Sequence, residues 1–597
     1  MLPRSLMHSP RHSDHGPLVI LSLVALAGLS APFLFGYGTA PLTNFAGEIV
    51  SASGFSTLLW AAAIYGNFDF AHKNIQRTTS ALVLLILATI FHYFYFGAIN
   101  TPAWIVAIGY LGMGWLAAWT GSAARSGTHA NEWMKAICIG LSIGAVIAAL
   151  GSIAQFFNFD GGYIVLSPAQ DSGRTFGFVR QPNHQGTFLS IGLASIVYLA
   201  YISKYRTRVL ALLFAPIIIF ALLTTGSRTA MMQIIFLSIC IALTFKSRGL
   251  RAAASIILLT ALLWFGLYIL NYLDIANFYG IKKAAQTSSE GVGLRHELWR
   301  ETWNLIVSHP LIGAGLLYFG SDFILSGAAE KVGLPMTHSH NIILQIIYAF
   351  GIPVSIAFIT LVARIFLKIR KIILNPGNFI PTTTIGFIGI HSMVEFPLWY
   401  TYFLLPFCFH LGWLETQTAP PSLAEAKNTT RKKYLASAIG LSTIMLTTWI
   451  NSDYYKITPI YAAGLKSTLN ERIATASDNF WFQPFSRFVL LNIQPVAPEN
   501  YRAYLDQAAT NGCIMYELWY QPGTIVALTY AERLEEAKWI IYSYWKLSGG
   551  YSQHFKKSME KSDAPSKEIM LDFIEKPHPV ERSIDTYSSK CFQNRLQ

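Results

Sequence analysis

Residues 337–367 read THSHNIILQIIYAFGIPVSIAFITLVARIFL. A long polar loop that begins near residue 272 ends in Thr337-His338-Ser339-His340-Asn341, and a nearly continuous apolar run follows at once. A helix needs about 20 such residues, at ~1.5 Å each, to cross a hydrocarbon core ~30 Å thick. Aligned peptide dipoles leave about half a positive charge at the start of that helix, with free N–H groups that receive anions. Two imidazoles flanking a serine at this corner raise the question of what else lies on the same side of the membrane.

Apolar runs recur as far as residue 450. Of the 597 residues, 53% are hydrophobic and only 13% charged, where a soluble domain carries about a quarter. Mean hydropathy is +0.40. The pattern predicts an all-α polytopic membrane protein with about 13 transmembrane helices. The spans fall near 18–36, 46–66, 80–99, 103–121, 134–157, 184–202, 209–225, 229–245, 252–271, 341–367, 381–395, 398–414 and 434–450. Span 46–66 is the weakest, because Glu48 and several Ser and Gly residues dilute it. The first run follows Arg4 and Arg11 and reads as an uncleaved anchor, since further spans come directly after it.

The net charge of +13 would suggest nucleic acid in a soluble protein. Here it has a different source, the bias of Lys and Arg toward cytoplasmic loops, so no nucleic-acid partner is implied. With the N-terminus in the cytoplasm, alternate loops carry Lys73 and Arg77; Arg125; Lys204, Arg206 and Arg208; Lys246, Arg248 and Arg251; Arg364, Lys368, Arg370 and Lys371; and Lys427, Arg431, Lys432 and Lys433. The opposite connections are nearly bare of them. This topology puts 158–183, 226–228, 272–340, 391–400 and everything after 451 outside.

The chain thus divides into a transmembrane part, 1–450, and a tail, 451–597. In the tail 16 Lys+Arg balance 16 Asp+Glu, and amphipathic stretches such as Ala531 to Trp545 predict a mostly helical soluble domain. The five cysteines form no CxxC or His-rich cluster, which argues against a zinc or iron–sulfur site. Cys138, Cys240 and Cys408 lie in apolar spans, whereas Cys513 and Cys591 share the tail and could pair in an oxidising compartment. There is no GxxxxGK nucleotide loop.

With sides assigned, the polar motifs fall on one face. Arg180-Gln181-Pro182-Asn183-His184 precedes a span, and Pro182 suits the first turn of a helix. Gly226-Ser227-Arg228-Thr229 precedes another, with Ser227 as N-cap, and His338-Ser339-His340-Asn341 precedes a third. His391-Ser392-Met393-Val394-Glu395-Phe396-Pro397-Leu398-Trp399-Tyr400 joins two spans on that side. In the long loop, Arg295 and Trp299 share a helical face by i, i+4 spacing. Taken singly, each signal has a plainer meaning. Arg228 suits a snorkelling position, Gln181 a helix cap, and Trp399 and Tyr400 an interfacial belt. Glu395 at a membrane boundary needs a partner or a function. Together, arginines, helix N-termini and imidazoles at one rim describe a site for a phosphate-bearing ligand anchored in lipid.

The stretches RQPNH, TGSRTA, LRHELWRETWNLIVSHPLIGAG, THSHNIILQIIYAFGIP and HSMVEFPLWYTYFLLPF resemble the bacterial protein O-oligosaccharyltransferases of the PglL type. These belong to a superfamily with O-antigen ligases and O-antigen polymerases, and the resemblance covers about 160–415. It implies a membrane-embedded, GT-C-like, inverting glycosyltransferase that needs no metal and no cofactor. Such an enzyme moves an oligosaccharide from undecaprenyl diphosphate to Ser or Thr hydroxyls of exported proteins, pilins among them, on the periplasmic side of the inner membrane. By motif, His340 matches the essential histidine, with His338 the neighbouring candidate. Arg228 and Arg295 match arginines assigned to the lipid diphosphate. Gln181, and either Tyr400 or Tyr402, match positions of the protein-modifying branch. Arg180, Asn183, Asn341, Glu395 and the two tyrosines are the expected substrate-binding residues around them.

Two alternatives stand beside this reading. One is an O-antigen ligase or polymerase, which uses the same donor with a saccharide acceptor. The QPNH motif and the long tail argue against it. The other is a lipid-linked sugar transporter, which should place ionisable groups near the midplane in two related halves. This sequence instead gathers its polar residues on one face.

Overall fold

The computed structural model describes residues 16–580, apart from 37, 67–74, 99, 158, 160–172, 204, 274–289, 418–428, 462–467, 516, 518–519 and 549–552. Arg4, Arg11, Lys73, Lys204, Lys427 and Cys591, and part of the 158–183 and 272–340 connections, lie outside the described residues.

Every regular element among the described residues is helical. In chain order the first are α1 (Gly16–Leu34), α2 (Phe45–Tyr65), α3 (Gln76–Tyr95), α4 (Thr101–Ser126), α5 (Ala130–Phe156), α6 (Pro182–Ile202), α7 (Tyr205–Thr224) and α8 (Arg228–Tyr272). The loop that follows carries α9 (Glu290–Ser308), α10 (Phe319–Leu325) and α11 (Ala328–Val332). Then come α12 (Ile342–Ile369), α13 (Phe379–Ser392), α14 (Thr401–Gln417) and α15 (Thr429–Tyr461).

Eight of these, α1 to α6, α8 and α12, are long and apolar enough to cross a membrane. The two spans expected from the sequence, 229–245 and 252–271, lie on either side of a break within α8, where Lys246 leaves helical geometry (φ 53°, ψ −130°) and two helices meet. Within α7 the stretch Leu213–Thr224 is an apolar helix. The expected spans 381–395 and 398–414 are the 14-residue α13 and the 17-residue α14. At ~1.5 Å per residue α13 extends about 21 Å, short of a full hydrocarbon core. Its length is set by polar turns, Asn375-Pro376-Gly377-Asn378 before it and Glu395-Phe396-Pro397 after it, and most of its residues are buried among other helices. The expected span 434–450 lies inside the 33-residue α15, which continues unbroken past residue 450.

Small residues let the helices approach closely. The tightest seam joins α4 to α14, where a Cβ on Gly121 would collide with the Phe409 carbonyl and one on Gly412 with that of Ala118. One end of this seam is closed by a buried carboxylate. Glu415 accepts from the backbone of Arg77 (3.2 Å) and Thr78 (3.0 Å) at the start of α3, and lies 3.8 Å from the charged nitrogens of both Arg77 and Lys368. Arg77 and Lys368 therefore share one end of the bundle, as the loop-charge pattern predicts.

At the other end α12 is interrupted. Pro353 has no N–H to offer the Ala349 carbonyl, and Gly351 sits at φ +75°. The freed groups pair with the preceding loop instead. Ala314 N–H donates to Tyr348 (2.8 Å), Gly315 N–H to Ala349 (3.0 Å), and Ile352 N–H to Pro310 (2.8 Å). A Cβ on Gly351 would run into the Leu311 carbonyl. Gly351→Ala therefore meets both a left-handed φ and a backbone clash, and should cost about 1–3 kcal/mol. Thermal unfolding of the purified protein in detergent checks this, and an unchanged midpoint would count against the splice.

The remaining helices are α16 (Leu469–Ser477), α17 (Gln483–Ile493), α18 (Tyr501–Gly512), α19 (Pro522–Tyr530), α20 (Leu534–Ser548), α21 (Gln553–Glu560) and α22 (Lys567–Glu575). The amphipathic stretch expected after Ala531 is α20, with Ala537, Ile540 and Ile541 buried. These residues share a core with Ile525, Phe555 and Phe573, and Leu325 of α10 belongs to the same cluster. Cys513 is disulfide-bonded.

Candidate active site at a meeting of helix ends

The site is built on Glu395, in the turn after α13. Gln181 stands at the N-cap of α6, where its side-chain oxygen accepts from the His184 N–H (2.7 Å). This leaves the amide nitrogen free to donate to Glu395 Oε2 (2.9 Å). Asn183 Nδ2 donates to the other oxygen, Oε1 (2.6 Å), and His391 Nε2 lies 3.3 Å from Oε2. A carboxylate only 8% exposed is thus surrounded by three donors from two helices, which is what keeps a buried charge tolerable. Behind it, Thr187 Oγ1 lies 3.0 Å from His391 Nδ1 and accepts from Gln233 Nε2 (2.9 Å).

The start of α14 closes a second side. Tyr402 is buried, with its hydroxyl 3.1 Å from His184 Nδ1. Tyr400 stacks on it at 5.2 Å, lies 4.6 Å from the His184 ring, and is only half-buried. Of the two tyrosines, Tyr400 is the one a ligand can reach and Tyr402 the one that braces His184.

The third side is the corner before α12. Asn341 caps that helix through Oδ1, which accepts from Ile343 (3.0 Å) and Leu344 (3.2 Å), while its Nδ2 donates to the Met393 carbonyl (3.4 Å). Ser339 N–H donates to Gln345 Oε1 (2.8 Å). Between them His340 adopts a left-handed φ of 51°, a conformation that costs a non-glycine residue and that clusters at functional sites. The His338 and His340 rings are 4.2 Å apart, His338 lies on the Phe396 ring, and both Nδ1 atoms are buried without a protein partner. Burial pushes the His338 imidazole well below its usual range, assisted by the His340 charge and opposed by Glu395. Burial also lowers His340. Glu395 opposes this, the Arg295 charge adds to it, and a hydrogen bond with the Val394 backbone opposes it again. Both rings are therefore neutral near pH 7, and each can accept a proton.

Arg295 and Trp299 are half-buried on α9, and Trp299 packs on the loop core. Glu301 ties α9 to α11 through Lys331 (2.9 Å). Arg228 is the exposed first residue of α8, behind the N-cap Ser227, whose Oγ accepts from Ala230 N–H (3.2 Å). Its turn is linked to the site by Arg174, which donates to Thr225 O (2.9 Å) and to Asn183 Oδ1 (3.3 Å). Arg180 lies at φ 59° and lines a small cavity with Asn44, Phe178 and Tyr402. The structure thus brings Gln181, Asn183, Glu395 and Tyr402 into one bonded network. His338, His340 and Asn341 lie against it, Arg295 within electrostatic reach of His340, and Arg228 beyond Arg174.

Sequence reading passed over two residues. Glu48, in the first turn of α2, accepts from Thr401 N–H (2.8 Å) and Thr401 Oγ1 (2.6 Å), capping α14 from another helix. The signal was available, since a lone carboxylate in an apolar span marks a bonded or functional position. Arg174 gave no motif. The trio His184, His391 and Glu395 brings ligand-type atoms within 4.8 Å of one another. Its nearest lone pairs are already engaged by Gln181, Asn183, Thr187 and Tyr402, so the group reads as a hydrogen-bond network and does not fit a metal ion.

Residues 212–359 match the O-antigen ligase family and 382–544 the C-terminal region of the virulence factor membrane-bound polymerase family. Over the first of these segments the chain is thus similar to the O-antigen ligase family. It is also 24% identical over 500 residues to the general O-oligosaccharyltransferase of Acinetobacter baylyi, covering 81% of this chain and 83% of that one. To the ComP-specific O-oligosaccharyltransferase of the same organism it is 24% identical over 304 residues, half of this chain and 53% of that one.

Proposed function

We propose that this protein is an O-oligosaccharyltransferase. It transfers an oligosaccharide en bloc from undecaprenyl diphosphate to Ser or Thr hydroxyls of exported proteins, with inversion and without a metal. The observation that carries the reading is His340, held at a left-handed φ beside His338 with its Nδ1 free of a protein partner. Both named relatives being O-oligosaccharyltransferases supports the same choice.

In this reading His340 Nδ1, the nitrogen without a protein partner, takes the proton of the acceptor hydroxyl as its oxygen attacks the anomeric carbon. Glu395 stabilises the imidazolium that forms. The carbon–oxygen bond to the diphosphate breaks, and the growing negative charge is met by Arg295, Arg228 and the positive ends of α8 and α12. His338 and Gln181 act beside them. Arg180, Asn183, Asn341, Tyr400 and Tyr402 line or brace the substrate pocket. The chain crosses the inner membrane about 13 times. Residues 1–450 form the transferase domain, and the site and the domain 451–597 face the periplasm.

Because burial holds the His340 pKa below the usual 6.5, its unprotonated fraction persists to lower pH. The acid limb of kcat/KM should accordingly fall below pH 6.5. A limb above that value would remove His340 as the base.

The reading itself is tested with the purified protein in detergent, undecaprenyl diphosphate-linked oligosaccharide, a periplasmic Ser-rich protein and EDTA. Glycan on the protein is the expected result. Transfer only to a lipid A-core acceptor would make the chain a ligase, and growth of the donor glycan itself would make it a polymerase.

A further inference from the structure

The C-terminal helices enclose, against the loop that carries the histidines, a cleft of about 750 Å³. It borders on Pro335, three residues before His338. Three residues of extended chain span at most about 11 Å, so the mouth of the cleft opens close to the proposed catalytic corner. The two are also fixed to one another. Ser321, in the same loop, donates to the Gly512 carbonyl and to that of Cys513 (3.0 Å), and Asn100 Nδ2 donates to Thr510 O (3.1 Å). Leu325 is part of the C-terminal core.

One wall of the cleft is a row of rings. Tyr520 and Tyr544 lie 5.7 Å apart, and Tyr544 and Phe555 4.9 Å. A hydrogen bond between the Tyr520 and Ser543 hydroxyls (2.9 Å) fixes the end of the row. The exposed residues Asn492 and Gln494 also line the cleft. An amide offers both donor and acceptor, which suits the alternating N–H and C=O groups of an extended backbone. Alternate residues of a polyproline II segment stand ~6 Å apart, close to the ring spacing, and aromatic grooves of this kind take such segments.

We propose that this cleft binds an extended segment of the acceptor polypeptide and presents a hydroxyl a few residues away to His340. This rests on the protein-acceptor reading above. A glycan could use the same rings and amides, but the donor glycan hangs from a lipid in the bilayer. The soluble acceptor is the partner that approaches from the side of the C-terminal helices.

The test measures separate KM values for acceptor protein and lipid-linked donor on the full chain, with Gln494→Ala, Asn492→Ala, Tyr544→Ala and Tyr544→Phe. Truncating one anchor should raise the acceptor KM about tenfold, with kcat and donor KM unchanged, and Tyr544→Phe should restore most of it. Should Tyr544→Ala misfold, the two exposed amide variants carry the result alone. Unchanged acceptor KM in all of them, or a shift in donor KM instead, overturns the proposal while leaving protein transfer intact. A wild-type enzyme that glycosylates only a saccharide acceptor fails earlier, and takes the protein-acceptor reading with it.

Discussion

His340→Ala is expected to lower oligosaccharide transfer by about 10²- to 10⁴-fold, the contribution of a positioned general base. Beyond one hydrogen bond with the Val394 backbone and its contacts with His338 and Phe396, the ring holds little of the surrounding structure. Its Nδ1 has no protein partner, and the corner is held by Asn341 on Met393 and Ser339 on Gln345. The variant should therefore insert and fold. A companion substitution separates two roles. Asparagine tolerates the left-handed φ at this position and can keep an orienting hydrogen bond, but it cannot accept a proton at neutral pH. If His340 is the base, His340→Asn is as inactive as His340→Ala. Retained turnover in His340→Asn would assign the residue to orientation, and full turnover in both would end its role in the chemistry.

Arg295→Ala is expected to lower kcat by about 10²- to 10³-fold, the loss seen when one preorganised donor is removed from a site of developing negative charge. Arg295→Lys should recover only part of this, because a point charge replaces a planar fork that pairs with two phosphate oxygens. A second signature follows from electrostatics. The Arg295 charge lowers the His340 pKa, so its removal must let that pKa rise. Residual activity in Arg295→Ala should accordingly show an acid limb displaced toward higher pH. A loss of activity with the limb in place would mean that Arg295 acts far from His340. Trp299, one turn further on, carries the packing of α9, so the folded state should be little affected.

Much of this site was legible before any coordinates. Loop charges grouped Arg77 with Lys368, and both pair with Glu415. Helix-start chemistry identified Gln181 and Ser227 as caps, and both are; Asn341, expected only at the start of a span, is a third. These signals are local, with residue and partner within a turn. What stayed hidden is what local pattern does not encode. The bond from Gln181 to Glu395 joins residues 214 positions apart, and that from Thr401 to Glu48 joins residues 353 apart. The short spans 381–395 and 398–414 have nearly the expected lengths in α13 and α14, but burial inside a bundle and contact with lipid look alike in sequence, so the burial of α13 among other helices was not visible. The two spans expected on either side of Lys246 are two helices, and the break between them falls in the basic stretch Lys246–Arg251 that the charge pattern had marked as a loop.

The backbone pairing between Pro310–Gly315 and Tyr348–Ile352 has a consequence for anyone grafting specificity between relatives. The loop bearing Arg295 and the helix turn bearing His340 share hydrogen bonds that neither can make with a foreign counterpart of different register. Their inheritance is joint. A chimera cut at the apparent boundary near residue 341 would leave the Tyr348 and Ala349 carbonyls facing a stranger's backbone. The transplantable cassette instead runs from the start of α9 through Pro353, with its second seam placed in α12 beyond that proline.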